Sequence, residues 1–189
     1  RAAQSHIGLA RALARDPQMR ERRRAIITAP ASVRSVGEAV MAADRLLETA
    51  KAQADAQVSE RNAREKAELM RQLGMDEGES ATKASRTMIR QLEEDQKRRS
   101  KRALTDAIDR ALIDLLAIYR DVLMVQVGGD GELINTDLSD LVHEIAQDST
   151  PRQTLARVDH IETARKRLVS NGNPLLVLED MAISLRPQA

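Results

Sequence analysis

The chain has 189 residues, of which 42% are hydrophobic and 31% charged, and its formal net charge is +1. It contains no cysteine, phenylalanine or tryptophan, which excludes disulfides and cysteine-ligated metal and argues against single-stranded bases stacking on aromatic side chains. Alanine, leucine, arginine and glutamate dominate and no strand-like alternation is visible, so we expect an all-α fold.

Helical periodicity begins at the N-terminus. Apolar residues at helical spacing predict a first helix over Ala2–Arg15, and Asp16-Pro17 ends it, since the residue before proline disfavours the α conformation. Pro17 suits the first turn of a second, short helix over Gln18–Thr28. The stretch Ala29-Pro30-Ala31-Ser32 then indicates a boundary between two units.

Two long helices are predicted next. Ser35 and Glu38 match a capping box, in which each side chain bonds the backbone amide of the other residue. A helix is therefore expected over Glu38–Leu73. The glycines in Gly74–Ser80 interrupt the pattern, and a second helix over Ala81–Val127 follows without glycine or proline.

We expect these two helices to pair antiparallel as a helical hairpin, or coiled coil. Placing Leu73 opposite Ala81 brings Met70 near Ala84 and Ala43 near Ala111, so that the apolar halves of both helices coincide. Large apolar residues are sparse at about residues 51–102. This part is predicted to be a charged arm whose tip frays or bends.

The most apolar stretch is Ala103–Val127. Its large apolar residues recur every three or four positions and form a wide helical face, which predicts the core helix of a bundle. Charged residues such as Asp114 and Arg120 interrupt the stretch, so a transmembrane span is excluded.

Three shorter helices complete the predicted bundle: one that begins near Thr136 or Asp137 and includes Leu138–Ile145, one begun by the capping box Thr150–Gln153, and a last one over Leu175–Leu185 after an Asn173-Pro174 cap. The last helix is apolar nearly all round, and one bundle covers only part of so short a helix. We expect the remaining surface to bind a partner, with Leu178→Asp as the disruptive substitution if that side chain faces outwards. The candidate partner-binding residues are Leu175, Leu178, Met181, Ala182 and Leu185.

No catalytic or cofactor-binding motif is present. The chain has no GxxxxGK[ST], GxGxxG or HExxH pattern, its three histidines are isolated, and the glycine-rich Gly128–Gly131 follows a helix and lacks a lysine, which favours a turn. We therefore expect no catalysis, cofactor, metal or small-molecule substrate. We also expect no membrane partner and, since no signal peptide or cysteine is visible, a cytoplasmic location. The start at Arg1 suggests part of a longer protein.

Two basic runs allow two interpretations. One is contact with nucleic-acid phosphates, which lysine and arginine bind without sequence preference. The other, which we favour, is a solvated or intersubunit face whose charges pair with nearby carboxylates. The runs are Arg20, Arg22, Arg23 and Arg24, and Lys97, Arg98, Arg99, Lys101 and Arg102.

The order of these features resembles the C-terminal part of the delta-prime subunits of bacterial DNA polymerase III, in their actinobacterial form. The resemblance covers nearly the whole chain and includes SHIGLARALARD followed by RERRR, a proline break, the charged insertion, the core helix and STPRQTLARVDHIETARKRLVSNGNPLLVLEDMAISL. The residues that carry it most are Tyr119, Arg120 and Asp121, and Asn173, Leu176, Leu178 and Glu179.

This resemblance implies a clamp-loader subunit, in which an AAA+ module is followed by a helical collar that joins five subunits in a ring. Residues 1–31 would be the end of the lid domain, and residues 32–189 the collar with its charged extension at about 51–102. Arg11 matches the sensor-2 arginine, but the phosphate-binding loop belongs to the upstream part, and delta-prime subunits are generally poor ATPases. The implied partners are the tau or gamma and the delta subunits, with the sliding clamp and primed DNA as indirect ones.

The resemblance thus implies a non-catalytic assembly module for clamp loading in DNA replication. Two alternatives stay open from the residues themselves. One is a nucleic-acid-binding helical arm, and the other is a stand-alone coiled-coil adaptor.

Overall fold

A computed structural model describes Arg11 and residues 14–74 and 82–186. Within these residues the chain is helical, without strands, which confirms the all-α prediction. The helix predicted over Ala2–Arg15 lies largely outside the described residues. The helices are α1 (Pro17–Ser32), α2 (Val36–Gln72), α3 (Lys83–Gln126), α4 (Ser139–Gln147), α5 (Pro151–Val169) and α6 (Pro174–Ser184), with a 3₁₀ turn over Thr136–Leu138 before α4.

The helix starts follow their capping signals. The amide of Glu38 donates to Ser35 Oγ at 3.1 Å, and the Glu38 carboxylate accepts from the Ser35 amide at 3.3 Å. Thr150 and Gln153 form the same reciprocal pair before α5, and Asn173 caps α6 with its side-chain oxygen. These three predicted caps are confirmed, because each satisfies amides that the first helical turn leaves without a partner.

The predicted end of α1 at Thr28 is wrong. The helix continues through Pro30 to Ser32, and the Val33 amide bonds the Pro30 carbonyl at 3.4 Å just beyond it. Proline has no amide hydrogen and therefore removes one helical hydrogen bond, a loss that the last turn of a helix tolerates. The stretch Ala29–Ser32 is therefore helical, and the domain boundary placed there stays a prediction.

The chain divides into two compact units, and α2 and α3 contribute to both. One unit comprises Arg1–Thr49 with Ile108–Ala189, and the other comprises Ala50–Ala107. No described helix combines the length and the hydropathy needed to cross a bilayer.

The second part of α3 is the central helix of the first unit, as predicted. Ile108, Leu112 and Val122 on this helix are completely buried. Its polar side chains reach three neighbours: Asp114 bonds α1, Gln126 bonds the end of α4, and Asp109 bonds α5. Helix α3 thus bonds three of the other helices of this unit through its polar side chains.

The turn after α3 is held by the buried Asp121. Its carboxylate accepts hydrogen bonds from the Ile134 amide at 3.0 Å and from the Asn135 amide at 2.8 Å. Burial acts to raise the pKa of Asp121, but these bonds, with others from Arg120 and the Asn135 side chain, outweigh burial and lower it. Gly128 has a φ of +67°, which confirms the turn predicted from the glycines.

In the second unit, α2 and α3 run antiparallel. Ala54 and Val58 form a small buried cluster with Ala103, and further along Lys66 lies 3.8 Å from Glu93. The antiparallel pairing is therefore confirmed.

The predicted register of this pair is wrong by about one helical turn. The predicted register places Asn62 opposite Leu92. In the structure, Gln96 Nε2 donates to the Asn62 carbonyl at 2.9 Å. Polar contacts select the register, because Arg99 also bonds the Asn62 side chain at 2.7 Å.

Candidate protein–protein interface

An open groove of about 740 Å³ lies on the first unit and is called the bundle groove here. Residues of α1, of the first four turns of α2 and of the C-terminal end of α6 line it, together with Leu115 of α3. The most buried lining residues, which form its base, are Val33, Ala43, Leu115, Met181 and Leu185.

Helical spacing explains why α1 and α2 each line the groove along one face. On α1 the lining residues include Arg22, Ala25 and Ala29, and on α2 they include Ala42 and Leu46, three or four positions apart in each case. Such residues share one face of a helix. Small alanine side chains on both faces leave room that a larger side chain from another molecule can fill.

The rim of the bundle groove is charged. Glu38, Asp44, Arg45 and Glu48 of α2 and Arg22 of α1 line its edges, and all five are exposed. Between these charges the half-buried apolar residues Ile26, Ala29, Ala42 and Leu46 stay partly open to solvent, and an apolar centre inside a polar rim is the usual composition of a protein–protein contact surface. The bundle groove is therefore the candidate interface of this unit.

A buried ion pair fixes α1, which forms one wall of the groove. Arg23 Nε lies 2.9 Å from Asp114 Oδ1 on α3, and Arg23 Nη2 donates to Asn135 Oδ1 at 2.6 Å. Burial raises the pKa of Asp114, although the attraction of Arg23 opposes this shift. Since Asn135 also bonds Asp121, a continuous polar network joins α1, α3 and the turn after α3.

The role of this network was not predicted from the sequence, where Arg23 counts as one member of a basic run. A signal was present in the spacing. Arg23 stands four positions after Met19 and four before Ile27, within the apolar stripe of α1, and Asp114 interrupts the apolar face of α3. A charge on an apolar helix face indicates a buried partner.

The predicted partner-binding residues divide into two groups. Met181, Ala182 and Leu185 line the bundle groove, whereas Leu178 is fully buried and Leu175 is half-buried away from the groove. Leu178 does not face outwards, so the condition set for Leu178→Asp is not met. Leu176, which is 62% exposed, is the outward-facing leucine of α6. Partner binding by these residues stays a prediction.

The basic run on α3 belongs to the second unit. Arg99 donates to Glu65 Oε2 at 2.8 Å, and its bonds, followed by those of Arg61, lower the pKa of Glu65 to about 2. Arg98 lies within 4 Å of Glu94 and Asp95, while Lys97, Lys101 and Arg102 are exposed. Two members are thus paired with carboxylates, and phosphate contacts by the run stay a prediction.

The remaining expected positions form no chemical centre in the part of the chain that the structure describes. Arg11 is helical and exposed, and its sensor-2 role stays a prediction. Residues 14–74 and 82–186 contain no group of three or more histidines and carboxylates placed to hold a metal ion. In the run on α1, Arg22 lies 3.7 Å from Asp16, and only Arg23 is buried.

Comparison with known proteins supplies the identity of this bundle. Residues 79–186 match the family model described as DNA polymerase III, delta subunit, C terminal. Over 72 residues the chain is 36% identical to DNA polymerase III subunit delta′ of Bacillus subtilis (strain 168), a match that covers 38% of this chain and 22% of the relative, so the chain spans only about a fifth of that protein. No solved structure matches. The delta-prime resemblance is confirmed, and with more than half of its residues matched the chain belongs to the family formed by the C-terminal regions of DNA polymerase III delta subunits.

Proposed function

We propose that this chain is a non-catalytic assembly module of the DNA polymerase III clamp loader. In this role its bundle joins the tau or gamma subunits and the delta subunit, as the collar of a complex that loads the sliding clamp onto primed DNA. Membership of the delta-subunit family supports the complex, and the open bundle groove is the observation that supports an assembly role.

The energetics of the groove favour a protein partner. Burying one leucine, isoleucine or methionine side chain contributes about 1.5–3 kcal/mol, so two or three partner side chains in the groove would contribute about 3–9 kcal/mol towards the entropy cost of association. Exposed rim charges contribute only about 0–1 kcal/mol for each pair. The apolar base therefore sets the affinity, and the charges of Arg22 and Glu48 set orientation and partner choice.

The proposal assigns no cofactor, metal or nucleotide to this part of the protein. Its contribution to clamp loading is geometric, because it holds neighbouring subunits in a fixed order. ATP binding in the complex belongs to other parts of the subunits, and Arg11 makes no nucleotide contact in this proposal.

Co-purification with the tau or gamma and delta subunits tests the role of the groove. Ala25 is exposed and lines the groove, so Ala25→Glu places a charge there without disturbing the packed core. Ala156→Glu on α5 is the matched control, because Ala156 is exposed and outside the groove.

We expect Ala25→Glu to weaken assembly by at least about tenfold, since an unpaired carboxylate would be buried against the partner. Ala156→Glu should assemble as the unchanged chain does. Equal assembly of both variants would show that the groove is not the interface, and failure of the unchanged chain to assemble would refute the proposed function.

A further inference from the structure

A second open groove lies within the hairpin of residues 50–107 and is called the hairpin groove here. Its volume is about 390 Å³, and residues near the C-terminal end of α2 and the N-terminal end of α3 line it. Three large apolar side chains, Leu69, Met88 and Leu92, belong to its lining.

The packing of the hairpin leaves these apolar side chains partly open to solvent. The buried apolar cluster of this unit consists of Ala54, Val58 and Ala103, and the polar contacts of Asn62 with Gln96 and Arg99 follow it along the pair. Beyond these polar contacts Leu69 and Leu92 are half-buried and Met88 is 49% exposed. Two helices alone cannot cover a stripe of this width, whereas a third helix lying along them can.

The charged residues that line the hairpin groove are of one sign. Glu65, Glu68 and Asp95 line it, and among the described residues no lysine or arginine does. Arg99 and Arg61 already compensate the charge of Glu65, and Arg98 lies 3.8 Å from Asp95. Glu68 is exposed and makes no hydrogen bond or ion pair with another residue of the described segments. The groove therefore offers an uncompensated negative charge beside its apolar centre.

We propose that the hairpin groove binds a basic amphipathic helix of a partner protein. The apolar residues of that helix, at every third or fourth position, would cover Leu69, Met88 and Leu92, and its flanking lysines or arginines would face Glu68. A second copy of this chain fits less well, because it would bring the same carboxylates into the contact. Nucleic acid is disfavoured for the same reason. The proposal is independent of the bundle groove.

A binding experiment on the chain itself tests this inference. The probe is a synthetic fluorescent peptide of about 18 residues, about five helical turns, with leucine at every third or fourth position and flanking lysines. A control peptide has glutamate in place of each lysine. Fluorescence anisotropy at physiological salt gives the affinity of each probe for the unchanged chain and for three variants.

The variants distinguish specific binding in the groove from non-specific electrostatic attraction. Met88→Glu and Glu68→Lys change the groove, whereas Glu60→Lys makes the same charge change at an exposed position of α2 outside it. We expect each groove variant to bind the lysine peptide at least about tenfold more weakly and Glu60→Lys to bind it within about twofold of the unchanged chain. Circular dichroism of Met88→Glu and Glu68→Lys checks that the hairpin stays helical.

Three results would overturn the proposal. The first is an equal effect of Glu60→Lys and Glu68→Lys, which would indicate attraction without a site. The second is binding of the glutamate peptide as strong as that of the lysine peptide. The third is self-association in analytical ultracentrifugation that Met88→Glu abolishes, which would assign the groove to a second copy of the chain.

Discussion

Arg23 and Asp114 are 91 positions apart in the chain, and their side chains meet at 2.9 Å with little exposure to solvent. This pair joins α1 to the core helix α3. Removing one member of a buried ion pair leaves the other charge buried without compensation, which is more costly than replacing both members by apolar residues. The position of α1, and with it one wall of the bundle groove, depends on this contact.

Replacing Arg23 by methionine should lower the free energy of unfolding by about 3–5 kcal/mol, because Asp114 and Asn135 lose their buried partner. Urea denaturation measures this change. Arg24→Met is the control, since Arg24 is exposed, and should shift stability by no more than about 0.5 kcal/mol. The double variant with Asp114→Leu should recover much of the loss. Similar stabilities for the two single variants would remove the structural role given to Arg23.

Asp121→Asn should destabilise the first unit at neutral pH and reduce its sensitivity to acid. The folded-state pKa of Asp121 is lowered below its ordinary value of 3.8, so its ionisation contributes stability above that value. This contribution is lost as the pH falls from about 4 through the lowered pKa. An asparagine supplies one acceptor in place of two, which leaves a buried donor unsatisfied and costs about 1–3 kcal/mol.

The measurement is the urea midpoint of both proteins between neutral pH and acid. The difference between them should be largest at neutral pH and shrink as Asp121 becomes protonated in the unchanged chain. Asp114 acts in the opposite sense, since burial raises its pKa and stability is lost as the pH rises from its ordinary value of 3.8 through the raised pKa. Comparing two proteins that both contain Asp114 removes this second effect. A difference that stays constant across the range would contradict the role of Asp121.

The starts of α2, α5 and α6 were predictable because the capping signals that determine them are local. Ser35 with Glu38, Thr150 with Gln153, and Asn173 each satisfy amides within three positions of themselves, so their geometry follows from residue type and spacing. The central position of the second part of α3 was also predictable, because the density of apolar residues is a property of the local sequence.

The errors concern contacts between residues distant in the chain. The register of the hairpin depends on Asn62 meeting Gln96 and Arg99, and apolar spacing alone did not rank these polar contacts above a tight turn. The bundle groove needs α1, α2 and α6 at once, whereas the sequence pattern pointed to α6 alone. Leu178 is fully buried on a helix that is apolar nearly all round, and hydrophobicity alone does not reveal which of those side chains the bundle covers.

Charge reversal of Lys97, Arg98 and Arg102 to glutamate should leave clamp-loader assembly and DNA-dependent loading largely intact. Arg99 is left unchanged, because its bonds to Asn62 and Glu65 hold the hairpin, and its loss would confound the result. The salt dependence of DNA binding is the second readout. If the run contacted phosphates, each contact would add about one unit to the slope of the logarithm of affinity against that of salt. A large loss of loading with intact assembly and a reduced slope would favour the nucleic-acid-binding alternative.

Two neighbouring leucines of α6 should respond in opposite ways to the same substitution. Leu178 is fully buried, so Leu178→Asp places a carboxylate in the core and removes a well-packed side chain, at a combined cost of more than about 4 kcal/mol. Leu176 is 62% exposed, so Leu176→Asp should change the stability of the chain by no more than about 0.5 kcal/mol. Thermal and urea unfolding of the two variants give this comparison directly. Loss of assembly in Leu178→Asp would then report unfolding, whereas loss of assembly in Leu176→Asp, with the fold intact, would add the exposed side of α6 to the interface. Equal stability of the two variants would contradict the placement of Leu178 in the core, and Leu178→Asp would then again test partner binding.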